Sequence, residues 1–259
     1  MRCPDSVYRQ ALRLAVPMMI QNGITNAVSL VDNLMVGSLG TESMTAVSIS
    51  GNLLFVFSLA VFGGLSGPGI YGVQYYGQKN EDGVRDVFRL KWLIMLTIAL
   101  AGISTFLFFG RDLLLLYLRG ETAGIDAGLT LSLASEYLSV MLIGLMPFGI
   151  TQIYAGSLRE TGESVKPMIA GLGSVTTDVV FNYLLIYDKL GFPALGVRGA
   201  AIATVISRFI ELSIIVMWAH LAADRHTFLR GVYRKMTVPW LWAKKVILKG
   251  LPIFLNEFL

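Results

Sequence analysis

Hydrophobic positions along this chain fall in long blocks, not in the short alternating or every-third-or-fourth patterns of a soluble domain. Six apolar stretches cover roughly 15–37, 46–73, 90–110, 130–156, 167–187 and 199–221. Each reaches the length of about 20 residues that a helix needs to cross a bilayer. A seventh begins near Val246 and is still running at Leu259. All seven are expected to be helical, because backbone in lipid must satisfy its own hydrogen bonds. Pro17, Pro68 and Pro147 lie inside these runs, as membrane helices permit. The pattern predicts an all-α polytopic membrane protein. It has a six-helix lobe over 1–221, a basic linker over 222–245 and the start of a further helix over 246–259.

The polar segments between spans differ sharply in charge. One set carries Arg2, Arg9, Arg13, Lys79, Arg85, Arg89, Arg159, Lys166, Arg225, Arg230, Arg234, Lys235, Lys244, Lys245 and Lys249, with Lys91 at the start of the third span on the same side. The other set carries only Arg111, Arg119, Lys189 and Arg198. This positive-inside bias places the N-terminus and the 222–249 segment in the cytoplasm of a multi-pass cell-membrane protein. The first apolar run is too long for a signal-peptide core and no small-residue cleavage site follows it, so it is read as its own insertion signal. No low-complexity tract is evident.

Composition agrees with this reading. The chain has 259 residues, 54% hydrophobic and 15% charged, against about 25% charged in soluble domains. Mean hydropathy is +0.65. Its single cysteine, Cys3, excludes an internal disulfide and a Cys-based zinc site. The net charge of +4 is explained by the sidedness of the basic residues, so the bilayer is an expected partner and nucleic acid is not.

Two short segments echo each other. "RLAVPMMIQN" (Arg13–Asn22) and "LKGLPIFLNE" (Leu248–Glu257) align on Pro17 and Pro252. Each has a basic residue before the proline, three large apolar residues after it, then an amide (Gln21, Asn256) and a second polar residue (Asn22, Glu257). The seventh helix therefore reads as the opening of a second copy of the first six, an architecture common in transporters, whose sites lie between the repeats. On that reading the chain is about half of a twelve-helix protein, expected to be monomeric when complete.

Asp32 is the position that most needs explaining. It sits in an apolar run with no cation beside it. On a wheel of about 100° per residue, Gln21, Thr25, Ser29 and Asp32 fall within roughly 80°, and Asn22, Asn26 and Asn33 extend the arc. Ile20, Ile24, Ala27, Leu30, Val31, Leu34 and Met35 lie opposite. A polar arc at bilayer depth points into a bundle or a water-filled cavity. Asp32 is five residues before Gly37, roughly 8 Å inside the outer boundary at 1.5 Å per residue. Asn182 lies five residues before Tyr187, with Asp178 one turn deeper on the same face. Thr204 is five residues inside Gly199. Three spans thus bring oxygen-bearing side chains to one level. Two carboxylates with amide and hydroxyl oxygens suit Na⁺ (at Asp32, Asp178 and Asn182) or H⁺, since either removes the cost of an isolated charge.

Other ionisable groups have plainer readings. Arg208 and Glu211 are spaced i, i+3 and are expected to pair with each other. Glu136 is interfacial. His220 and His226 lack a second ligand at metal spacing. Trp92, Trp218, Trp240 and Trp242 read as interfacial belt residues. No nucleophile motif is present, so no enzymatic activity and no cofactor beyond the coupling ion are expected.

The chain resembles the multidrug and toxic compound extrusion (MATE) family over essentially its whole length. Three stretches carry the likeness: "AVPMMIQNGITNAVSLVDNLMVGSLG" (Ala15–Gly40), "GFPALGVRGAAIATVISR" (Gly191–Arg208) and "LPIFLNEFL" (Leu251–Leu259). The resemblance implies two six-helix lobes facing each other across a V-shaped cleft, and antiport of Na⁺ or H⁺ against organic, often cationic drugs. It assigns the coupling cation to Asp32 and matches Thr204 to a sixth-helix oxygen ligand and Glu257 to a seventh-helix glutamate. In one branch the fifth helix carries Asn and then Asp four residues on; here Asp178 precedes Asn182. The polar first-helix residues Gln21, Thr25, Ser29 and Asn33 would line the substrate cavity with Met and aromatic side chains. Two alternatives are a lipid-linked oligosaccharide flippase of the same superfamily, expected to carry more cavity cations, and an inactive half-transporter.

Overall fold

The computed structural model describes residues 5–118, 126–187, 195–221, 227–234 and 236–257, with side chains from residue 12 onward. Cys3, His226 and, of the basic set, Arg2, Arg119, Lys189, Arg225 and Lys235 lie outside the described residues. Among the described residues the α-helices are α1 (Asp5–Gly37), α2 (Thr41–Gly77), α3 (Glu81–Leu118), α4 (Ala127–Met141), α5 (Leu145–Glu160), α6 (Val165–Ile186), α7 (Gly196–Leu221) and α8 (Trp240–Asn256). No strand occurs among the described residues.

Among the described residues six helical stretches are long and apolar enough to cross a membrane, and they coincide with the six expected from the sequence. The fourth, Ala127–Glu160, is interrupted: a three-residue 3₁₀ turn at Leu142–Gly144 separates α4 from α5. Pro147 follows within a turn of that break, where its missing N–H removes one ladder bond. Local chemistry fixes other ends. Asp126 caps α4 by accepting from the Gly128 and Leu129 amides at 2.9 and 3.0 Å, an N-cap arrangement. Gly40 links α1 to α2 at φ 117°, a conformation that favours glycine.

The helices pack through close approaches at small residues, as membrane interfaces do. At Gly199 of α7 an added Cβ would lie 2.8 Å from the Leu185 carbonyl oxygen of α6, and at Gly67 of α2 it would lie 2.7 Å from the Gly250 Cα of α8. α2 is central, touching α3, α4, α5 and α8. α1 is peripheral and rests mainly on α6, leaving Leu30 and Leu34 strongly exposed. The face that α1 buries differs from expectation. Gln21 and Asp32 lie within it, and so do Ile24, Val28, Met35 and Val36, whereas Asn22, Thr25, Asn26, Ser29 and Asn33 remain exposed. Ile24 and Met35, expected opposite the polar arc, are therefore packing residues.

The 227–234 segment is tied to the spans. Arg85 donates to the Phe228 carbonyl at 3.3 Å and Arg89 to the Val232 carbonyl at 3.0 Å. The Tyr233 hydroxyl pairs with that of Tyr154, and its ring stacks on His220 at 6.2 Å. His220 Nδ1 meets the Val216 carbonyl at 3.0 Å. Trp92 packs against Tyr233 and Trp242 donates to Tyr75; both rings serve helix packing, and Trp240 stays exposed.

Candidate cation site and the charged layer beneath it

The i, i+4 spacing of Asp178 and Asn182 puts both on the face of α6 that meets α1 and α7. Asp178 is 9% exposed and Asn182 2%. Asn182 Nδ2 donates to Asp32 Oδ1 of α1 at 3.0 Å and to Asp178 Oδ2 at 3.3 Å. One amide thus bridges two carboxylates from different helices. The shared level expected for Asp32, Asp178 and Asn182 is realised, and Thr204 of α7 faces the same group.

Two further side chains join them that sequence spacing alone did not single out. Ser207, one turn after Thr204 on α7, also faces Asp178. Tyr137 of α4, 8% exposed, faces Asp32, Asp178 and Thr204. Ser207 was legible in principle, at i+3 from Thr204. Tyr137 starts deeper on its helix and arrives because long side chains lean toward a helix N-terminus.

The group is rich in acceptors and short of donors. Thr204 commits its hydroxyl proton to the Ala200 carbonyl and Ser207 commits its own to the Thr204 carbonyl. Asp178 Oδ1 and Asn182 Oδ1 are buried with no hydrogen-bond partner. Buried polar atoms are normally satisfied, and two carboxylates sharing a site repel when both are charged. The donor set is all oxygen, which suits H⁺ or a hard monovalent cation. Among the described residues no three His, Cys, Asp or Glu side chains gather as a metal site.

The remaining residues assigned to the cavity separate. Gln21 is remote from Asp32 along α1; its Oε1 accepts from Arg159 Nη2 of α5 at 3.2 Å, and its amide nests where an added Gly171 Cβ would lie 2.4 Å from Nε2. Thr25, Ser29 and Asn33 are exposed on α1, with the Ser29 hydroxyl donating to the Thr25 carbonyl at 3.0 Å. Glu257 ends α8 and lies against Gly63 of α2, a different part of the lobe.

A second polar layer lies about one helical turn and more from Thr204 along α7. Arg208 and Glu211 are there, but the expected pair between them is not formed. Arg208 Nη1 instead donates to the Gly144 carbonyl at 3.1 Å, at the break of the fourth span, with its guanidinium 5.2 Å from the Phe148 ring centre. Glu211 is shared electrostatically by Arg159 and Arg208 and faces Ser174.

Lys91 belongs to neither layer. The sequence placed it among the loop-side charges, yet it is 1% exposed. Its ammonium reaches Glu160 Oε1 and Oε2 at 2.5 and 2.7 Å and Ser157 Oγ at 3.2 Å. Glycine makes room for the carboxylate: an added Cβ at Gly72 would meet Glu160 Oε2 at 2.3 Å. By contrast, Glu136 and Arg198 form an exposed pair at 3.7 Å.

Comparison with known proteins places this arrangement. The MatE family model matches residues 17–184. A probable multidrug resistance protein NorM from Thermotoga maritima is 28% identical over 255 residues, 97% of this chain and 52% of that protein. A probable multidrug resistance protein YoeA from Bacillus subtilis is 28% identical over 98% of this chain and 54% of its own length. A solved outward-facing multidrug resistance MATE family transporter of the MOP superfamily superposes with a TM-score of 0.80 at 25% identity, covering 96% of this chain and 52% of that one. The chain spans about half the length of these relatives. With its model matched over most of the chain and its fold shared with a member, the chain belongs to the MatE family.

Proposed function

We propose that this chain is the N-terminal lobe of a cation-coupled antiporter that exports organic, often cationic compounds, and that the Asp32–Asp178–Asn182 group takes up the coupling Na⁺ or H⁺. The observation that carries the reading is the acceptor excess: two carboxylates on one amide, with the buried oxygens of Asp178 and Asn182 left without partners. The relatives' designation as multidrug resistance proteins supplies the substrate class.

The chemistry follows from the cost of charge in a low-dielectric layer. With both carboxylates ionised the pair repels itself, and the repulsion is relieved by water or by a cation. A bound cation lets α1 and α6 close on each other, with Thr204 and Ser207 offering hydroxyl oxygens. Coupling needs the cation and the exported solute to prefer different states of the lobe. The exposed arc of Asn22, Thr25, Asn26, Ser29 and Asn33 is the part of α1 free to meet solute, so discharge of Asp32 is felt along the surface that the solute touches. The basic bias of one set of connections supports a cytoplasmic position for those connections and for the N-terminus of a cell-membrane protein. A flippase for an anionic lipid-linked sugar would present free cations to its cavity; here Arg208 is turned onto Gly144 and Phe148, and Arg159 onto Gln21.

The test uses the protein expressed from its full reading frame in proteoliposomes with imposed Na⁺ or pH gradients. Asp32→Asn is expected to abolish gradient-driven efflux of a cationic dye while membrane insertion is unchanged. Efflux by that variant at the wild-type rate overturns the role of Asp32.

A further inference from the structure

Five ionisable side chains face one another through the interior between α1, α5, α6 and α7. Three are carboxylates, Asp32, Asp178 and Glu211, and two are guanidinium groups, Arg159 and Arg208. Lys91 and Glu160 balance each other separately. The interior set is therefore one positive charge short of neutrality. In a medium where uncompensated charge is costly, that deficit is one monovalent cation.

Arg208 occupies the junction between the two layers. It lies one turn beyond Thr204 on α7, and it faces Asp178 of α6, Tyr137 of α4 and Glu211 of its own helix. Its hydrogen bond is not to a carboxylate but to the Gly144 carbonyl, in the 3₁₀ turn that breaks the fourth span. Glycine leaves room there: an added Cβ at 144 would lie 3.1 Å from Arg208 Cδ and 3.2 Å from Nη1 and would press on the guanidinium. Phe148, one turn on in α5, offers its ring to the guanidinium at 5.2 Å, a cation–π contact. The fourth span is thus broken at the place where a neighbouring helix delivers a fixed cation.

We propose that Arg208, held on the Gly144 carbonyl and the Phe148 ring, is a tethered competitor of the coupling cation: from the break in the fourth span its fixed positive charge partly balances the Asp32–Asp178 pair and so limits the affinity of that pair for a single cation. The inference rests on the cation-site reading above and adds its stoichiometry, one monovalent cation per lobe, and its positioning residue. The guanidinium stays charged throughout, so the competition is electrostatic. It needs no proton on Arg208. The other titratable group facing the pair is Tyr137 from α4, while Glu211 of α7 faces Arg208 and Arg159 of α5.

The measurement is equilibrium uptake of radioactive sodium and of protons by the purified protein from its full reading frame. Each count is taken as the difference from an Asp32→Asn/Asp178→Asn variant. Wild type is expected to bind one cation. Arg208→Gln removes the competitor, so the half-saturating cation concentration falls roughly tenfold, the scale of one unit charge withdrawn nearby in a protein interior. Arg208→Lys keeps the charge and stays within about threefold of wild type. Gly144→Ala crowds the guanidinium off its resting place and shifts half-saturation the opposite way, upward by about twofold to threefold. A purely structural Arg208 would weaken binding in all three variants and would not split the signs. If Arg208→Gln does not fold, Arg208→Lys decides: half-saturation within about threefold of wild type supports a competing charge, and a weakening beyond that overturns it. Wild-type uptake unchanged in Arg208→Gln and Gly144→Ala overturns this inference and leaves the cation site standing. No uptake by wild type removes the site itself.

Discussion

Two buried ionic clusters in this lobe look alike in composition and differ in satisfaction. Lys91, Glu160 and Ser157 join α3 to α5 against the glycines of α2, with both Glu160 oxygens within 2.7 Å of one ammonium. Opposite charges meet there in equal number. Asp32, Asp178 and Asn182 join α1 to α6 with two acids, one amide and buried oxygens left over. A charge pair with every partner in place holds helices together. A cluster that keeps like charges together and leaves acceptors empty is poor glue, and its shortfall is what a transported cation can supply.

The largest effect expected from that difference is on stability at the paired cluster. Lys91→Met leaves the Glu160 carboxylate buried and alone, and thermal unfolding in detergent should show a loss of about 3–5 kcal/mol. The double variant Lys91→Met/Glu160→Gln removes both charges and should recover most of it. Equal losses in the single and double variants would show that the pair does not act as a pair. At the other cluster the sign changes. Asp178→Asn removes like-charge repulsion, so the same assay should register a change under about 1 kcal/mol or a small gain, although cation uptake is lost. A loss as large as that of Lys91→Met would make Asp178 structural and would erase the contrast between the clusters.

Much of the fold was legible because bilayer thickness leaves few choices. The six spans, the glycine and proline tolerance and the approximate ends all follow from apolar length. Sequence depth also found the cluster: Asp32, Asp178, Asn182 and Thr204 share a level because a helix advances by a fixed rise per residue. What stayed hidden depends on which helices touch. Periodicity gave α1 a polar arc but not the fact that α6 takes only one edge of it, which buries Gln21 and Asp32 and leaves Thr25, Ser29 and Asn33 outside. Arg208 and Glu211 had pairing distance along their own helix, yet the break at Leu142–Gly144 brought a backbone carbonyl of another span within reach of Arg208. Lys91 read as an interfacial cation, because nothing local announces that Glu160, far along the chain, comes to meet it between glycines. Tyr137 was invisible because its hydroxyl, not its backbone position, reaches the level of the site.

Infrared difference spectroscopy of the purified protein, switched between acid and alkaline pH and between Na⁺ and a bulky organic cation, tests the central claim most directly. Above the background of exposed acids, the account predicts a buried carboxyl component that responds both to pH and to Na⁺ in wild type and in Glu160→Gln, and that is missing from Asp32→Asn and Asp178→Asn. A wild-type spectrum without that response, or a response that survives both aspartate substitutions, would contradict it.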